Sequence, residues 1–341
     1  MRKRLLMPIG VCALLLLGLL SGCSFGETPK IKVLILPTFE IGDMKCDFPG
    51  EAQFYYEAFL EGGQEYEIAG GFEGHRLYVK DGVALYVTGM GKVNSALSTM
   101  AVLSDSRFDF SNAYVLSIGC AGGAYGYAVM GDVFLVTAAA DYDLGHHADI
   151  RDMKDQSAAT WFHDDSFDNS SILKPNAGLM DRAYALVKDV KVETTEKTRK
   201  AMNDIFKGAE WACRDPTVLR GATVTGDNYW KGLHDHQNAM LIAATYGCPD
   251  PFAVSDMESL AIGLALRRMN MADRYIILRD VVNMDVFMMG ATPESLWGPK
   301  ANDHLSEDGS MESIDIFATA MKNNFAVGRV IVEAILNDWR E

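Results

Sequence analysis

Residues 77–103 read LYVKDGVALYVTGMGKVNSALSTMAVL, and this stretch decides the fold class. Leu77 to Val87 alternates around Asp81-Gly82, the signature of a hairpin. Val93 to Leu103 then switches to the three-and-four spacing of an amphipathic helix. The junction, Thr88-Gly89-Met90-Gly91-Lys92-Val93-Asn94-Ser95, is a glycine loop between a strand and a helix. Its glycines let backbone amides approach an anion or a hydroxyl, and the helix start favours negative charge. A dinucleotide fingerprint would need a third glycine where Asn94 stands. Taken alone, the loop serves equally well as a tight turn in which Asn94 or Ser95 satisfies backbone groups.

Upstream, Ile31 to Leu36 is a β-branched apolar run ended by Pro37, which predicts a buried strand delivering a loop at its C-terminal end, where open α/β sheets build their sites. Downstream, Ala113 to Ile118 and Val133 to Val136 read as strands, separated by the side-chain-poor Gly119-Cys120-Ala121-Gly122-Gly123-Ala124. Helices are predicted at Leu179 to Val187, Asn238 to Thr245 and Met257 to Met269, strands at Gly221 to Thr225 and Arg274 to Val282, and a long amphipathic helix over Ile314 to Trp339. Strands alternate with helices, so the expected architecture is a single three-layer α/β domain over 31–341, a mixed central sheet flanked by helices. Ala148 to Pro175 is polar and aperiodic, and is expected to be a surface excursion or lid.

The chain opens on three positive charges in Met1 to Arg4, an apolar run from Leu5 to Leu20, and Leu20-Ser21-Gly22-Cys23. This is a secretory signal layout with the stop of a bacterial lipoprotein. Residues 1–22 are expected to be the signal peptide, Cys23 the lipidated residue, and 23–30 a tether holding the domain to the cell membrane outside the cytoplasm. No later run approaches the ~20 apolar residues that cross a bilayer. The net charge of −15 becomes −18 once Arg2, Lys3 and Arg4 are gone, which repels phosphate backbones and argues against nucleic acid.

Cys46, Cys120, Cys213 and Cys248 lack the C-x-x-C spacing of a zinc site, and disulfides among them are permitted but not demanded. His146-His147 and His234-Asp235-His236 lack an accompanying ligand motif, so no metal is expected. Gly122 and Gly123 suit a surface where a planar ligand lies close to backbone, or equally a packed helix. Thr225-Gly226-Asp227-Asn228-Tyr229-Trp230 ends a strand with polar groups beside two rings, which either stack a base or fill the core. Glu258, in Asp256-Met257-Glu258, either caps a helix or binds a vicinal diol. Asn283 and Asp285 fall on one face if the strand persists that far.

In that order along the chain, Thr88 to Gly91, Ala121 to Gly123, Thr225 to Trp230, Asp256 to Glu258 and Arg279 to Asn283 resemble the nucleoside phosphorylase and nucleosidase superfamily. Within it the nearest likeness is to the purine nucleoside permease family, across nearly all of 31–340; Gly226 to Trp230 and Phe108-Asp109 are among its signs. The resemblance implies a purine nucleoside as ligand and cleavage of its N-glycosidic bond. Thr88, Gly89, Met90, Gly91 and Asn94 would lie beneath the ribose, and Met257 and Glu258 would hold its hydroxyls. Gly122, Asp227, Tyr229 and Arg279 would complete the binding site, with Tyr229 and Asn283 on the purine. Glu258 would face the oxocarbenium charge, and Asn283 or Asp285 the leaving base.

Two departures stand out. Where many nucleosidases have an acid, this chain has Asn283, which donates a hydrogen bond but not a proton. The loop Pro37 to Asp43 lacks the phosphate-binding arginine of bacterial phosphorylases; Glu40 would instead orient a water, while Lys92 keeps phosphate open as a co-substrate. No cofactor is implied. The expectation is a tethered enzyme, and the resemblance allows a homo-oligomer, as is usual in the superfamily. The alternative is a binding lipoprotein that hands nucleosides to a separate permease. A single cleavable apolar segment provides no path of its own through lipid.

Overall fold

The computed structural model describes residues 28–156, 159–162, 170–286 and 312–339. The apolar runs become the buried strands of one ten-stranded sheet. Its first half holds β1 (Val33–Leu36), β2 (Gln64–Glu67), β3 (Arg76–Lys80), β4 (Val83–Leu85) and β5 (Tyr114–Gly123). The β3–β4 turn places Asp81 and Gly82 at φ 48° and 82°, the left-handed pair that a two-residue hairpin requires. The second half holds β6 (Val133–Asp141), β9 (Ile172–Leu173), β10 (Val218–Thr225), β11 (Phe252–Asp256) and β12 (Tyr275–Met284). β7 (His146–His147) and β8 (Trp161–Phe162) form a separate pair.

Strands run in the order β11-β10-β6-β12-β5-β1-β4-β3-β2, and the sheet is mixed: β6 lies antiparallel to β12, while β12, β5, β1 and β4 are parallel. The sheet also curls shut. β11 pairs with β10 on one side and with the end of β5 on the other, where Val254 meets Gly123 and Ser255 meets Gly122. Five strands therefore form a closed ring, and the ends of β5, β11 and β12 converge.

Period-two alternation sends side chains to opposite faces. Val33, Ile35, Leu116, Ile276 and Leu278 pack under α1 (Gln53–Phe59), α3 (Ala177–Val187) and α7 (Glu312–Leu336). Leu34, Leu36, Val115, Tyr275 and Ile277 face α2 (Lys92–Leu103) and α6 (Ser259–Arg268). A third cluster joins Ala239 and Ile242 of α5 (Leu233–Thr245) to Tyr142, Trp161, Val224 and Phe252.

Besides the two-residue strands β7, β8 and β9, the elements α1, β2, α4 (Glu196–Phe206) and β11 have no counterpart in the sequence pattern. α1 is too short to show a period, β2 is polar and largely exposed, and α4 buries only Thr198 and Met202. The described ends of the Ala148–Pro175 excursion are tied down. β9 pairs with β6, Trp161 is buried, and the amides of Thr160 and Trp161 donate to Asn238 Oδ1. Cys46, Cys120, Cys213 and Cys248 are free. No helix among the described residues is long and apolar enough to cross a membrane. The signal segment and Cys23 lie outside the described residues.

Candidate active site

β5 does not stop at Ile118; it runs on through the glycines, and β12 follows it past a bulge so that Asn283 pairs with Gly122. A Cβ on Gly122 would meet Ser255 Oγ at 2.8 Å and Asn283 Oδ1 at 3.1 Å, so glycine here is what lets β11 and β12 bring polar side chains over the strand. This is the floor of a cleft lined by Gly122, Tyr229, Ser255, Met257 and Asn283. Its enclosed volume is about 30 Å³, enough for a water molecule or two but not for a ring system. Asn283 Nδ2 donates across it to the Tyr229 hydroxyl at 2.8 Å, and Tyr229 itself is 54% exposed at the mouth. Trp230, its neighbour, stacks on Tyr142 at 5.2 Å and belongs to the scaffold.

Next in the chain after Met257 of the cleft wall is Glu258. It immediately precedes α6, is 4% exposed, and its Oε1 accepts the Gly91 N–H at 3.0 Å. Gly91 has φ 87° and begins α2, so the glycine loop hands its amide directly to this carboxylate. Burial pushes the Glu258 pKa up to about 7, against the pull of Arg279, whose Nη1 lies 3.6 Å from Oε2.

Arg279 was expected to touch the ligand, and the structure assigns it other work. Its side chain is fully buried, with Nε at 3.2 Å from Asp256 Oδ2 and 3.1 Å from Ser259 Oγ. Although burial opposes its charge, Asp256, Glu258 and Glu51 together hold it protonated. Asp256 in turn caps α6, accepting from the amides of Glu258 and Ser259 and from the Ser259 and Thr225 hydroxyls.

Several other expected ligand contacts prove to be positioning residues. Thr88 is buried, its hydroxyl near the Pro37 and Gly89 carbonyls. Asn94 donates back to the Met90 carbonyl at 2.9 Å, which pins the loop, while Met90 is exposed. Gly89 has φ 82° and lies against the Phe72 ring. Asp227 accepts the Lys92 N–H at 2.6 Å, tying the end of β10 to the start of α2. The Lys92 ammonium is claimed by Asp141 at 3.0 Å and Asp143 at 2.8 Å, so it is not free for phosphate.

Both oxygens of Glu40, expected to orient a water, are committed to backbone amides. Its Oε1 accepts the amides of Ile41 and Gly50 and its Oε2 those of Ala52 and Gln53, which makes it the cap of α1. The acid of this segment that joins Asp256 and Glu258 around Arg279 is Glu51, which sequence reasoning missed. It is buried, accepts the Cys120 N–H at 2.9 Å and the Thr38 amide and hydroxyl at 2.7 and 2.8 Å, and lies with Arg279 against Gly119. Nothing in the spacing around Glu51 marks it, because Thr38 is 13 residues away and Cys120 is 69.

Asp285 also departs from expectation. The strand ends at Met284, and although Asp285 still lines the cleft, its carboxyl is held from behind: Oδ1 accepts the Tyr125 N–H at 3.0 Å and Oδ2 lies 2.7 Å from His236 Nδ1. His234 contacts Thr160 and His147 the Tyr142 carbonyl, so the histidines are dispersed. Among the described residues no group of three or more side chains is arranged to hold a metal ion.

A ring-closed mixed sheet with a glycine-floored cleft and a buried glutamate beside it is the nucleoside phosphorylase and nucleosidase fold. The 5′-methylthioadenosine/S-adenosylhomocysteine nucleosidase of Neisseria meningitidis, solved with methylthio-immucillin-A, superposes with a TM-score of 0.53 at 19% identity, over 89% of this chain and 99% of that one. The nucleosidase of Streptococcus pneumoniae, solved with 8-aminoadenine, gives 0.53 at 16% identity, over 89% and 100%. A futalosine hydrolase mutant of Helicobacter pylori gives 0.53 at 13%, over 89% and 99%. The chain belongs to the purine nucleoside permease (NUP) family, whose description matches residues 30–341. A probable purine nucleoside permease of Schizosaccharomyces pombe is 32% identical over 167 residues, 43% of this chain and 47% of that one. The aligned part thus spans about half the length of this curated relative.

Proposed function

We propose that this protein binds a purine nucleoside in the cleft and hydrolyses its N-glycosidic bond. The observation that carries the reading is the Gly91 N–H···Glu258 contact, which holds a buried carboxylate one residue past Met257 of the wall of a cleft floored by Gly122 beneath Asn283. The sugar hydroxyls replace or share that contact. As the bond from C1′ to the purine nitrogen breaks, its electron pair passes to the base and positive charge grows on the sugar, which the Glu258 carboxylate stabilises. Asn283 Nδ2, released from Tyr229, donates a hydrogen bond to the departing base. Water then adds to C1′, and its proton passes to Glu51, the carboxylate beside Arg279, and on through solvent to the base. The pairing of Lys92 to two aspartates supports water over phosphate as the nucleophile.

Export is part of the same proposal: the basic start, apolar run and Ser21-Gly22-Cys23 support a lipoprotein anchored through Cys23, working outside the cytoplasm so that a separate carrier takes up the base. A second reading is favoured by one observation. Asn283 is not an acid and Asp285 is turned toward His236, so the site suits a nucleoside-binding component without turnover. The purified chain incubated with inosine, guanosine and adenosine, with and without phosphate, separates these. Free base without phosphate supports hydrolysis; saturable binding without base would leave the binding component.

A further inference from the structure

A second cavity, of about 520 Å³, lies on the far side of Asp285. Its walls come from Tyr125 after β5, His236 and Met240 of α5, and Cys248, Asp250 and Phe252 leading into β11. Nucleoside recognition in the cleft uses none of these side chains. His236 is only 5% exposed, and its Nδ1 is committed to Asp285. Its Nε2 has no hydrogen-bond partner among the described residues, and the ring forms part of the cavity wall. That nitrogen is not among the fully buried unpaired atoms; as a ring nitrogen without a protein partner, it is available to a ligand in the cavity.

The other walls restrict that partner. Tyr125 stands edge-on to His236 at 5.9 Å and Phe252 packs on it at 5.7 Å, so the polar nitrogen is set among flat aromatic surfaces. Asp250 spends Oδ2 on Thr137 and Arg220, and its Oδ1 has no partner among the described residues. An anionic ligand would meet Asp250 and a chain of net charge −15. A hydrocarbon would leave both polar atoms unanswered. Cys248 is not a nucleophile for covalent capture, because burial pushes its thiol up to about 11.

We propose that this cavity binds a neutral, planar nitrogen heterocycle of the nucleobase class, one ring nitrogen pairing with His236 Nε2 and an N–H with Asp250 Oδ1. The site is separate from the nucleoside cleft and holds whether or not the cleft is catalytic.

The test is calorimetric titration of the intact chain with adenine and with hypoxanthine. Two sites per chain are expected in the wild type. Met240→Trp, on an exposed position of the cavity wall, fills the space and should abolish one site while leaving the other. His236→Phe keeps the ring and removes the nitrogens, and should weaken that same site at least tenfold. Asn283→Ala should weaken the other. A single site lost in Asn283→Ala and untouched by Met240→Trp overturns the proposal, as does the absence of base binding. A single site lost in Met240→Trp and indifferent to Asn283→Ala sustains it and instead counts against the purine contact proposed for the cleft.

Discussion

The Gly91 amide donates to Glu258 Oε1 at 3.0 Å across 167 residues of sequence, joining the start of α2 to the start of α6 at the cleft. Two helix N-termini thus share one carboxylate, and what replaces that amide as partner decides ligand affinity. Glu258→Ala is expected to weaken nucleoside binding tenfold or more while leaving free-base binding within about twofold, the difference being the charge-assisted hydrogen bonds to the sugar. Equal losses for nucleoside and base would make Glu258 purely structural.

Glu258 also has a pH signature. Its ordinary value is 4.5 and burial raises it to about 7 in the folded protein. Between those values the folded state holds a proton that the unfolded state has released, so this group's contribution to stability falls as pH rises from about 4.5 to 7 and levels off above. Melting curves of wild type and Glu258→Gln across that range should converge toward low pH and separate toward neutrality, with the variant gaining. Cleavage should rise over the same interval, since only the ionised form stabilises the sugar cation.

Arg279 is fully buried among Asp256, Glu258 and Glu51. Arg279→Met leaves those carboxylates without their cation and should cost about 3–5 kcal/mol of folding stability. Denaturation at pH 5 and pH 8 checks the cause. The loss should be smaller at pH 5, where protonation of the acids relieves it.

Asn283→Asp would supply the proton donor that the cleft lacks. If base departure limits the rate, this variant should raise cleavage about 10²-fold in mildly acidic buffer, the ordinary scale of general acid catalysis. Single-turnover base release from adenosine measures it. An unchanged rate would place the slow step elsewhere.

Gly122→Ala places a methyl 2.8 Å from Ser255 Oγ and 3.1 Å from Asn283 Oδ1. Base affinity should fall at least tenfold. The melting temperature should drop by only a few degrees, because the Asn283 side chain can swing outward with its Tyr229 contact.

Local chemistry made much of this protein legible from its sequence. Alternation around Asp81-Gly82, the apolar run before Pro37 and the helical spacing after Lys92 each depend on neighbours a few residues apart, and each became the element expected. The glycine loop, Gly122, Tyr229, Glu258 and Asn283 were marked as well, because their residue types stand at strand ends. The tertiary structure decided which of these residues line the cleft and which are committed to partners in the frame. Glu40 and Glu51 lie in the same loop and both are acids; only the approach of β5 and β12 places Glu51 beside Arg279 and leaves Glu40 to cap α1. Asn283 and Asp285 share a strand parity, but the strand ends between them, and a histidine from α5 holds the second from behind. A side chain's type is written in the chain, whereas its partner depends on contacts between segments tens to hundreds of residues apart, which no local pattern encodes.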